Sequence, residues 1–549
     1  MAHIQIDRRE FESLLGEKVS DERLSEDASM LGAHWEHVEG PKWDVEVYPD
    51  RPDLLSVEGL ARAYRGFFLD EDPEQYNAEE PRIELSKDSS VEEVRPCIGG
   101  AVVKGVRLSE KIINGLIQLQ EKIHETSGRR REKIAIGLHD MTELEPPFTY
   151  RAVRPEQVEF TPLEREEEMH LGRILDEHEK GQEYGWILDE HDRYPVIEDS
   201  AGQVLSFPPI INNQLTEVSP QTTDLFVDVT GTSQEAVHRA LCIMSLALVE
   251  RGGDLEQVEV DGRPAPNLSP EKHELDPDYL RQVSGLELST QEIKERLEMM
   301  CLRPQETDDG GLEVEVPCYR EDVLHQYDLI EDVVIAHGYD NVEASEPDIH
   351  QHGDEEPVEE FSRVLRDIMV FSGALEAHTH VLSSEEKQFG SLERPDSGAV
   401  RMRNPLTEDY SIVRKDLLPE LLRALHDNRD SRFPQRFFEV DDVAELDDSP
   451  TGASNSRRLA YVASGEDVDY TDARRVLHVL ERGLGVDLEL REAEMPFHAD
   501  GRSARILVDG ERAGNVGQMS EQVQENWELN RPVAGFELNV EVLEESFRD

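Results

Sequence analysis

Cysteine is scarce in this chain of 549 residues. The four cysteines are Cys97, Cys242, Cys301 and Cys318, and no two of them form a Cys-x-x-Cys pair. A zinc knuckle needs clustered thiolates, and a disulfide-stapled fold needs many closely spaced cysteines. The sequence therefore predicts neither kind of structure.

Long hydrophobic runs are also missing. No apolar stretch approaches the ~18 residues of a membrane-spanning helix, and the opening MAHIQIDRRE lacks the pattern of a signal peptide. We therefore expect a soluble, cytoplasmic chain with no membrane partner. At 549 residues the chain is too long for one hydrophobic core, so about three to five domains are expected.

Basic residues are heavily outnumbered. Lys and Arg total 57 against 121 Asp and Glu, which gives a net charge of −64 at pH 7. The acidic residues are spread through every segment, which indicates a property of the whole surface. At molar salt the Debye length falls to about 3 Å and self-repulsion largely disappears. We interpret the charge as adaptation to a very saline cytoplasm, so net acidity does not exclude a nucleic-acid partner.

Familiar nucleotide and hydrolase motifs are absent. The sequence contains no G-x-x-x-x-G-K-[ST], no dinucleotide fingerprint of the G-x-G-x-x-G type followed by an acid, no G-x-S-x-G and no H-E-x-x-H. These patterns build phosphate-binding loops, nucleophile elbows and zinc sites. A P-loop, Rossmann, hydrolase-elbow or zincin enzyme is therefore excluded by these tests.

Changes of pattern along the chain predict a multidomain α+β fold. Residues 1–85 combine helices with a strand at KWDVEV, and residues 90–265 are rich in strands but end with a strong helix. A proline-containing linker precedes residues 270–346, whose helix–strand–helix pattern is winged-helix-like. Residues 355–549 form a larger α+β domain. In the third block, Ser289 and Glu292 have the spacing of a capping box.

One acidic cluster has the spacing of a metal site. Asp328, Glu331 and Asp332 stand at i, i+3 and i+4, so a helix brings them to one side, and Asp322 can fold over from the preceding loop. Four carboxylates suit Mg²⁺ or Ca²⁺ rather than zinc. The alternative is a solvated acidic first turn, which the helix dipole also favours.

A second polar pair lies in DLFVDVTGT. Asp228 and Thr230 alternate with valines, so they share one face of a strand. A carboxylate and a hydroxyl on one face can orient a water molecule or bind an ammonium group. An exposed polar strand face is the alternative interpretation.

Six segments then carry a resemblance to a known family. They are PDRPDLLSVEGLARAYRGF, KIAIGLHDMTELEPPFTYRAV, LSFPPIINNQ, TTDLFVDVTGT, YDLIEDVVIAHGYDNV and DLLPELLRALHDNRD, in that order. Together they resemble the beta subunit of phenylalanyl-tRNA synthetase, in its shorter archaeal and eukaryotic type. The resemblance extends from about residue 4 to 545, and the net charge of −64 points to a salt-adapted source.

The resemblance assigns a role to each block. Residues 90–265 correspond to an editing domain that hydrolyses tyrosine wrongly attached to tRNA-Phe. Residues 270–346 correspond to a metal-carrying winged-helix-like domain, and residues 355–549 to a class II synthetase-like module without its active site. Magnesium ligands are implied at Asp322, Asp328, Glu331 and Asp332, with calcium as the second choice.

The resemblance also implies that ATP is used mainly by a separate alpha subunit. Residues 460–549 contain no arginine-bearing GxGxGxER motif, and RFFEV resembles only the strand of the second class II motif. The expected assembly is a heterotetramer of two alpha and two beta chains that binds tRNA-Phe. Four leucines, which could face that partner or be buried in their own domain, are Leu417, Leu418, Leu421 and Leu422.

Editing is needed because an apolar pocket rejects an added hydroxyl by only about 10²-fold. The candidate editing residues are Ser206, Asp228 and Thr230, with His139 at the rim of the pocket. Asn213 stands where the resemblance leads us to expect a small hydroxyl residue. Two other hypotheses stay open: a free-standing hydrolase that clears mischarged tRNA, and a structural scaffold whose editing site has decayed.

Overall fold

A computed structural model describes residues 2–548 except 27, 38–39, 70, 347–348 and 350–351. It divides into two compact units, Met1–Glu346 and Pro347–Asp549. Both units mix helices with mainly antiparallel sheets, as the sequence predicts for an α+β fold. Among the described residues, no helix has the length and apolar character needed to cross a membrane.

The first unit begins with a small sheet in the order β1-β3-β2, covered by helices. Its elements are β1 (Ala2–Asp7), α1 (Arg8–Leu15), α2 (Asp21–Glu26), β2 (Ala33–His37), β3 (Lys42–Val47) and α3 (Val57–Leu69). The strand predicted at KWDVEV is confirmed, because Trp43, Val45 and Val47 are buried and alternate with more accessible acids. Phe11 packs edge-on against Trp35 and Trp43 in the core.

A ten-stranded sheet follows, in the order β12-β11-β10-β7-β4-β14-β5-β13-β6, with β15 paired to β14. Its strands and the small β8–β9 pair are β4 (Glu79–Lys87), β5 (Cys97–Lys104), β6 (Ile134–Asp140), β7 (Phe148–Val153), β8 (Glu159–Phe160), β9 (Met169–His170), β10 (Tyr194–Glu198), β11 (Val204–Phe207), β12 (Ile211–Asn212), β13 (Leu225–Gly231), β14 (Asp254–Val260) and β15 (Arg263–Ala265). The associated helices are α4 (Glu110–Glu125), α5 (Leu171–Glu177), α6 (Glu179–Tyr184) and α7 (Gln234–Val249).

The boundary predicted at residue 85 falls inside β4. This strand pairs with β14 and β7 in the large sheet, so the N-terminal sheet and its helices end before Glu79. The strong helix predicted late in residues 90–265 is confirmed as α7, whose first turn is capped by the Ser233 side chain.

A third sheet, in the order β16-β18-β17, completes the first unit. Its elements are β16 (Glu271–Leu275), α8 (Pro277–Ser284), α9 (Thr290–Met299), β17 (Arg303–Glu306), β18 (Leu312–Val316) and α10 (Gln326–His337). The predicted capping box is confirmed: Ser289 accepts from the Glu292 amide, and the Glu292 carboxylate accepts from the Ser289 amide. The acidic cluster of the sequence thus straddles the start of α10.

The second unit is built on a seven-stranded sheet in the order β19-β22-β23-β27-β26-β25-β24. Its strands are β19 (Leu375–Glu376), β20 (Leu382–Ser383), β21 (Ile412–Val413), β22 (Gln435–Leu446), β23 (Ala453–Ser464), β24 (Glu489–Glu492), β25 (His498–Val508), β26 (Glu511–Met519) and β27 (Val533–Asn539). Its helices are α11 (Pro357–Phe371), α12 (Glu385–Gln388), α13 (Leu418–Asp427), α14 (Tyr470–Leu484), α15 (Glu521–Asn526) and α16 (Val540–Arg548).

The four leucines around the start of α13 belong to the core of this unit. Leu417, Leu418, Leu421 and Leu422 are at most 5% exposed. They pack with Val462 and Trp527, among others. Of the two interpretations of these leucines, burial within their own domain is therefore the correct one.

Two helical glycines give a matched test of packing in the first unit. A Cβ on Gly59 in α3 would lie 1.8 Å from the carbonyl oxygen of Asp53, whereas a Cβ on Gly115 in α4 would meet nothing within 4 Å. We expect Gly59→Ala to lower the free energy of unfolding by at least about 2 kcal/mol, because the backbone must move. Gly115→Ala should raise it by about 0.5–1 kcal/mol. Urea unfolding in molar KCl measures both, and equal effects would contradict this packing.

Candidate functional site

A cavity of about 330 Å³ lies between the two edges of the ten-stranded sheet. The edges approach each other where Asn212 in β12 donates through Nδ2 to the Leu138 carbonyl of β6 at 3.2 Å. Ser206 of β11, Gly137 of β6 and Asp228 of β13 line the cavity, and α4 forms another wall. The fold therefore brings two of the three predicted editing residues, Ser206 and Asp228, into one concave site.

His139 of β6 and Asp228 of β13 form a buried, hydrogen-bonded couple. Asp228 stands opposite Gly137 in the β13–β6 register, and His139 stands opposite Phe226. The Nε2 of His139 lies 2.7 Å from Oδ2 of Asp228, and its Nδ1 lies 2.9 Å from Oγ1 of Thr216. His139 is fully buried and Asp228 is 2% exposed. The predicted rim position of His139 is thus wrong, since its ring is enclosed by the sheet and bonded on both nitrogens.

Gly137 leaves the space that this couple needs. A Cβ at Gly137 would lie 2.1 Å from Oδ2 of Asp228 and 2.7 Å from Nε2 of His139. Any larger side chain would therefore displace the carboxylate from the imidazole. A glycine is needed at this position because the side chains of Asp228 and His139 approach it closely, and not because of its backbone conformation.

Ser206 offers an unused polar group. Ser206 as a whole is 3% exposed, and its Oγ is buried without a hydrogen-bond partner among the described residues. A buried hydroxyl without a partner is costly, because it has lost its hydrogen bonds to water. In a cavity wall it is suited to bind a polar ligand.

Thr230 has a different role from the predicted one. Its Oγ1 accepts a 3.0 Å hydrogen bond from Nε of Arg95, and its carbonyl accepts a 2.8 Å bond from NH2 of the same side chain. It is not among the residues that line the cavity. The exposed-face interpretation is also wrong, because every residue of β13 is buried.

Asn213 forms hydrogen bonds through both ends of its side-chain amide. Its Nδ2 donates to the Val204 carbonyl at 2.6 Å, and its Oδ1 accepts from the Leu215 amide at 3.0 Å. An amide can make both bonds at once because it carries a donor and an acceptor. The departure from a small hydroxyl residue is therefore accommodated in the fold, and Asn213 is not among the residues that line the cavity.

A charged wall from α4 was not predicted from the sequence. Arg131 donates to the Glu121 carboxylate at 2.8 Å and to the Ile210 carbonyl at 2.9 Å. Glu121 also lies 3.3 Å from Nδ1 of His124, whose Nε2 accepts from the Ile136 amide at 2.8 Å. Burial alone would raise the pKa of Glu121. The hydrogen bond from His124 and the charge of Arg131 outweigh burial and lower this pKa to about 2. The available signal was the i, i+3 spacing of Glu121 and His124 on one helix.

The four predicted metal ligands do not converge on one point. Arg320 is buried and donates to Asp322 at 2.6 Å and to Asp332 at 2.8 Å. Asp328 instead accepts from the amides of Leu324 and His325 at the start of α10. Burial raises the pKa of Asp332 to about 6. The donor chemistry fits Mg²⁺, because all four groups are carboxylates, but two of them already neutralise an arginine.

Glu331, the fourth of these residues, is exposed on α10. Within the described part of the chain, only His378, Glu439 and Asp441 have ligand atoms that all lie within 4.8 Å of one another. Arg414 contacts both acids of that group, at 2.8 and 2.9 Å, so part of their negative charge is already offset. Metal binding at the α10 carboxylates therefore stays a prediction.

Comparisons with known proteins identify the family. Residues 273–339 match the tRNA synthetase B5 domain, and residues 342–540 match the phenylalanyl tRNA synthetase beta chain CLM domain. The chain is thus a subunit of the aminoacyl-tRNA synthetase class.

Two curated relatives and one solved structure make the assignment specific. The chain is 37% identical to the phenylalanine–tRNA ligase beta subunit of Methanococcoides burtonii, over 98% of this chain and 100% of the relative. It is 39% identical to that of Pyrococcus furiosus, over 89% of each. A crystal structure of an N-terminal fragment of the phenylalanyl-tRNA synthetase beta subunit from Pyrococcus horikoshii, 36% identical, covers 62% of this chain and 100% of the fragment with a TM-score of 0.59. The chain belongs to the phenylalanine–tRNA ligase beta-subunit family.

The α4 wall predicts a pH dependence of stability. Burial lowers the pKa of His124 below its ordinary 6.5. Just below pH 6.5 the unfolded chain therefore binds a proton at His124, whereas the folded chain does not. Stability must then fall as pH drops below 6.5, by up to about 1.4 kcal/mol per pH unit. We expect His124→Gln to show a shallower loss between pH 7 and 5 than the wild type. The slope of the unfolding free energy against pH measures this, and identical slopes would contradict a neutral, buried His124.

Proposed function

We propose that this chain is the beta subunit of a phenylalanine–tRNA ligase and that its cavity hydrolyses tyrosyl-tRNA-Phe. Phenylalanine activation with ATP then takes place on a separate alpha subunit, in a cytoplasmic heterotetramer of two alpha and two beta chains that binds tRNA-Phe. Membership of the family supports the ligase role. The absence of a GxGxGxER motif from residues 460–549 supports activation on another chain.

The domain roles extend the proposal. The seven-stranded, mainly antiparallel sheet of the second unit suits a class II synthetase-like module that has lost its own site. The small sheet with α8, α9 and α10 suits a winged-helix-like domain. A free-standing hydrolase would not need a second unit of this size, so the subunit role is preferred.

The observation that carries the editing proposal is the buried, unsatisfied hydroxyl of Ser206, a residue that lines the cavity. A second site rejects tyrosine best when it has a polar group for the phenolic hydroxyl, because the phenylalanyl ester then leaves that group unpaired. A volume of about 330 Å³ lies in the range of small-ligand sites. Ser206 is therefore assigned to recognition of the hydroxyl rather than to bond cleavage.

Asp228 is assigned to the reacting water. Its carboxylate lines the cavity and is oriented by His139 at 2.7 Å. In the proposed reaction, water adds to the ester carbonyl while a proton passes to the carboxylate. The bond to the terminal ribose oxygen then breaks, and that oxygen takes up the proton. The products are tyrosine and free tRNA.

Two buried serines provide a matched test of the editing proposal. Ser206 and Ser245 both have a buried Oγ without a partner among the described residues, but only Ser206 lines the cavity. We expect Ser206→Ala to raise KM for tyrosyl-tRNA about fivefold, the value of one neutral hydrogen bond of roughly 1 kcal/mol. Ser245→Ala should leave it unchanged. Steady-state deacylation and urea unfolding measure both variants.

Asp228→Asn should reduce kcat for the deacylation of tyrosyl-tRNA by about 10²-fold or more. The pair of serine variants separates recognition from a general effect on stability. If Ser206→Ala and Ser245→Ala behave alike, Ser206 has no recognition role. If Asp228→Asn hydrolyses tyrosyl-tRNA at the normal rate, the cavity is not the site of hydrolysis.

We also propose that Mg²⁺ binds at the start of α10, held by Asp322, Asp328, Glu331 and Asp332. Bound there, the ion would supply positive charge to a strongly acidic turn. Asp322 and Asp332 would share the ion with Arg320, since both already accept hydrogen bonds from it.

The metal proposal has a readout independent of activity. At constant ionic strength, MgCl2 should raise the unfolding temperature relative to EDTA, because a ligand of the folded state stabilises it. Glu331→Gln should weaken this response, and Glu343→Gln, an exposed acid outside the predicted set, should keep it. An unfolding temperature that is the same in MgCl2 and EDTA would overturn the proposal.

A further inference from the structure

One short segment departs from the acidic character of the chain. SGRRREK contains the single run of three consecutive basic residues in the sequence, Arg129, Arg130 and Arg131. It connects α4 to β6, two of the elements that line the cavity. In a chain of net charge −64, such a run is a local exception placed beside the candidate site.

The backbone of this turn is strained. Arg129, Arg130 and Arg131 have φ values of 49°, 54° and 66°, which is the left-handed region that costs side-chain-bearing residues roughly 1–2 kcal/mol each. The turn is closed by hydrogen bonds from the Arg131 amide to the His124 carbonyl and from the Lys133 amide to the Gly128 carbonyl. Strain of this kind persists where the surrounding structure fixes it, and it is concentrated at functional sites.

The three arginines are used differently. Arg131 is 7% exposed and fixes the turn to the cavity wall through the Ile210 carbonyl and Glu121. Its guanidinium also stacks over the ring of Tyr184 at 4.3 Å. Arg129 and Arg130 are exposed, and the side chain of neither forms a hydrogen bond or ion pair with any residue that the structure describes. Two guanidinium groups are thus presented to solvent by a rigid, anchored turn.

We propose that Arg129 and Arg130 bind the phosphates of the 3′-terminal nucleotides of the tRNA and so hold its aminoacylated end at the cavity. The inference rests on the proposed editing function, because that function brings an ester attached to a polyanion to this place. An overwhelmingly acidic surface repels RNA, so a local pair of unpaired guanidinium groups is the feature that can receive it. Arginine suits the role because its planar fork pairs with phosphate through two hydrogen bonds.

Such contacts position the RNA without reading its sequence. They therefore explain how the ester is brought to Ser206 and Asp228, whose side chains are too deeply buried to contact the phosphate chain. The hydrogen-bonded left-handed turn fixes the backbone from which both arginines extend. A flexible loop would have to be ordered on binding, at an entropic cost.

The test compares two double variants that remove the same charge. Arg129→Gln/Arg130→Gln changes the turn, and Arg482→Gln/Arg505→Gln changes two exposed arginines of the second unit. The probe is a fluorescent acceptor-stem minihelix whose terminal tyrosine is attached through a non-hydrolysable amide. Binding to the full chain is measured by anisotropy over a KCl series, and deacylation of tyrosyl-tRNA is measured in parallel.

We expect the turn variant to bind the probe about tenfold more weakly, with the slope of log K against log [KCl] reduced by about 1.4, which corresponds to two single-strand phosphate contacts. Its KM for deacylation should rise similarly, while kcat is unchanged. The second-unit variant should match the wild type. Arg129→Lys/Arg130→Lys keeps both positive charges and should retain most of the binding to the probe. It is the control for misfolding of the glutamine variant.

The outcomes separate this inference from the proposed function. Unchanged binding and KM in the turn variant, with hydrolysis still lost in Asp228→Asn, would overturn the phosphate contact and leave editing intact. Equal losses in both double variants would also overturn it, because only general charge would then matter. Weakened binding in the turn variant alone, with a wild type that does not hydrolyse tyrosyl-tRNA, would support the RNA contact and overturn editing.

Discussion

The cavity depends on the contact between His139 and Asp228, buried between the strands β6 and β13. Removing an imidazole and a carboxylate from water is costly unless each satisfies the other. Here the register of the two strands places Gly137 opposite Asp228, so no side chain separates the partners. Thr216 occupies the second nitrogen of His139. The carboxylate is consequently held in one orientation, facing a cavity whose other walls come from β11, β12 and α4.

Elsewhere in the chain, buried arginines connect separate elements through hydrogen bonds and ion pairs. Arg95, Arg320 and Arg414 are each at most 5% exposed, and each binds groups that are distant in sequence or on different elements. Arg95 joins the carbonyls of Glu132 and Thr230, and Arg320 joins a loop to α10. Salt screens exposed acidic residues strongly but buried pairs only weakly. These three arginines therefore form their contacts where screening by salt is weak.

Much of the fold could be predicted from the sequence. Short-range patterns sufficed for β3, α7 and the Ser289 capping box, because alternation and capping act within a few residues. The sequence predicted only in part which candidate residues line the cavity. Ser206 and Asp228 do line one cavity, but strand alternation placed Thr230 with Asp228 and could not reveal that Arg95 uses its hydroxyl.

The remaining features depend on contacts between distant residues. The α4 wall needs Arg131 to meet the carbonyl of Ile210, a pairing that local spacing does not encode. The helical spacing of Asp328, Glu331 and Asp332 is correct, but it does not show that Arg320 occupies the carboxylates of Asp322 and Asp332. Backbone strain at Arg129 to Arg131 is likewise invisible in the sequence, since arginine rarely adopts that conformation.

The central claim is that this chain removes tyrosine from tRNA-Phe and does not itself attach phenylalanine. The most direct test gives one preparation of the purified chain, in molar KCl, tyrosyl-tRNA-Phe and phenylalanyl-tRNA-Phe in parallel, and separately ATP with phenylalanine and free tRNA. The account predicts hydrolysis of the tyrosyl ester at least about tenfold faster than of the phenylalanyl ester, from the loss of one or two hydrogen bonds, and no charging. Equal hydrolysis of the two esters, or ATP-dependent charging by the chain alone, would contradict it.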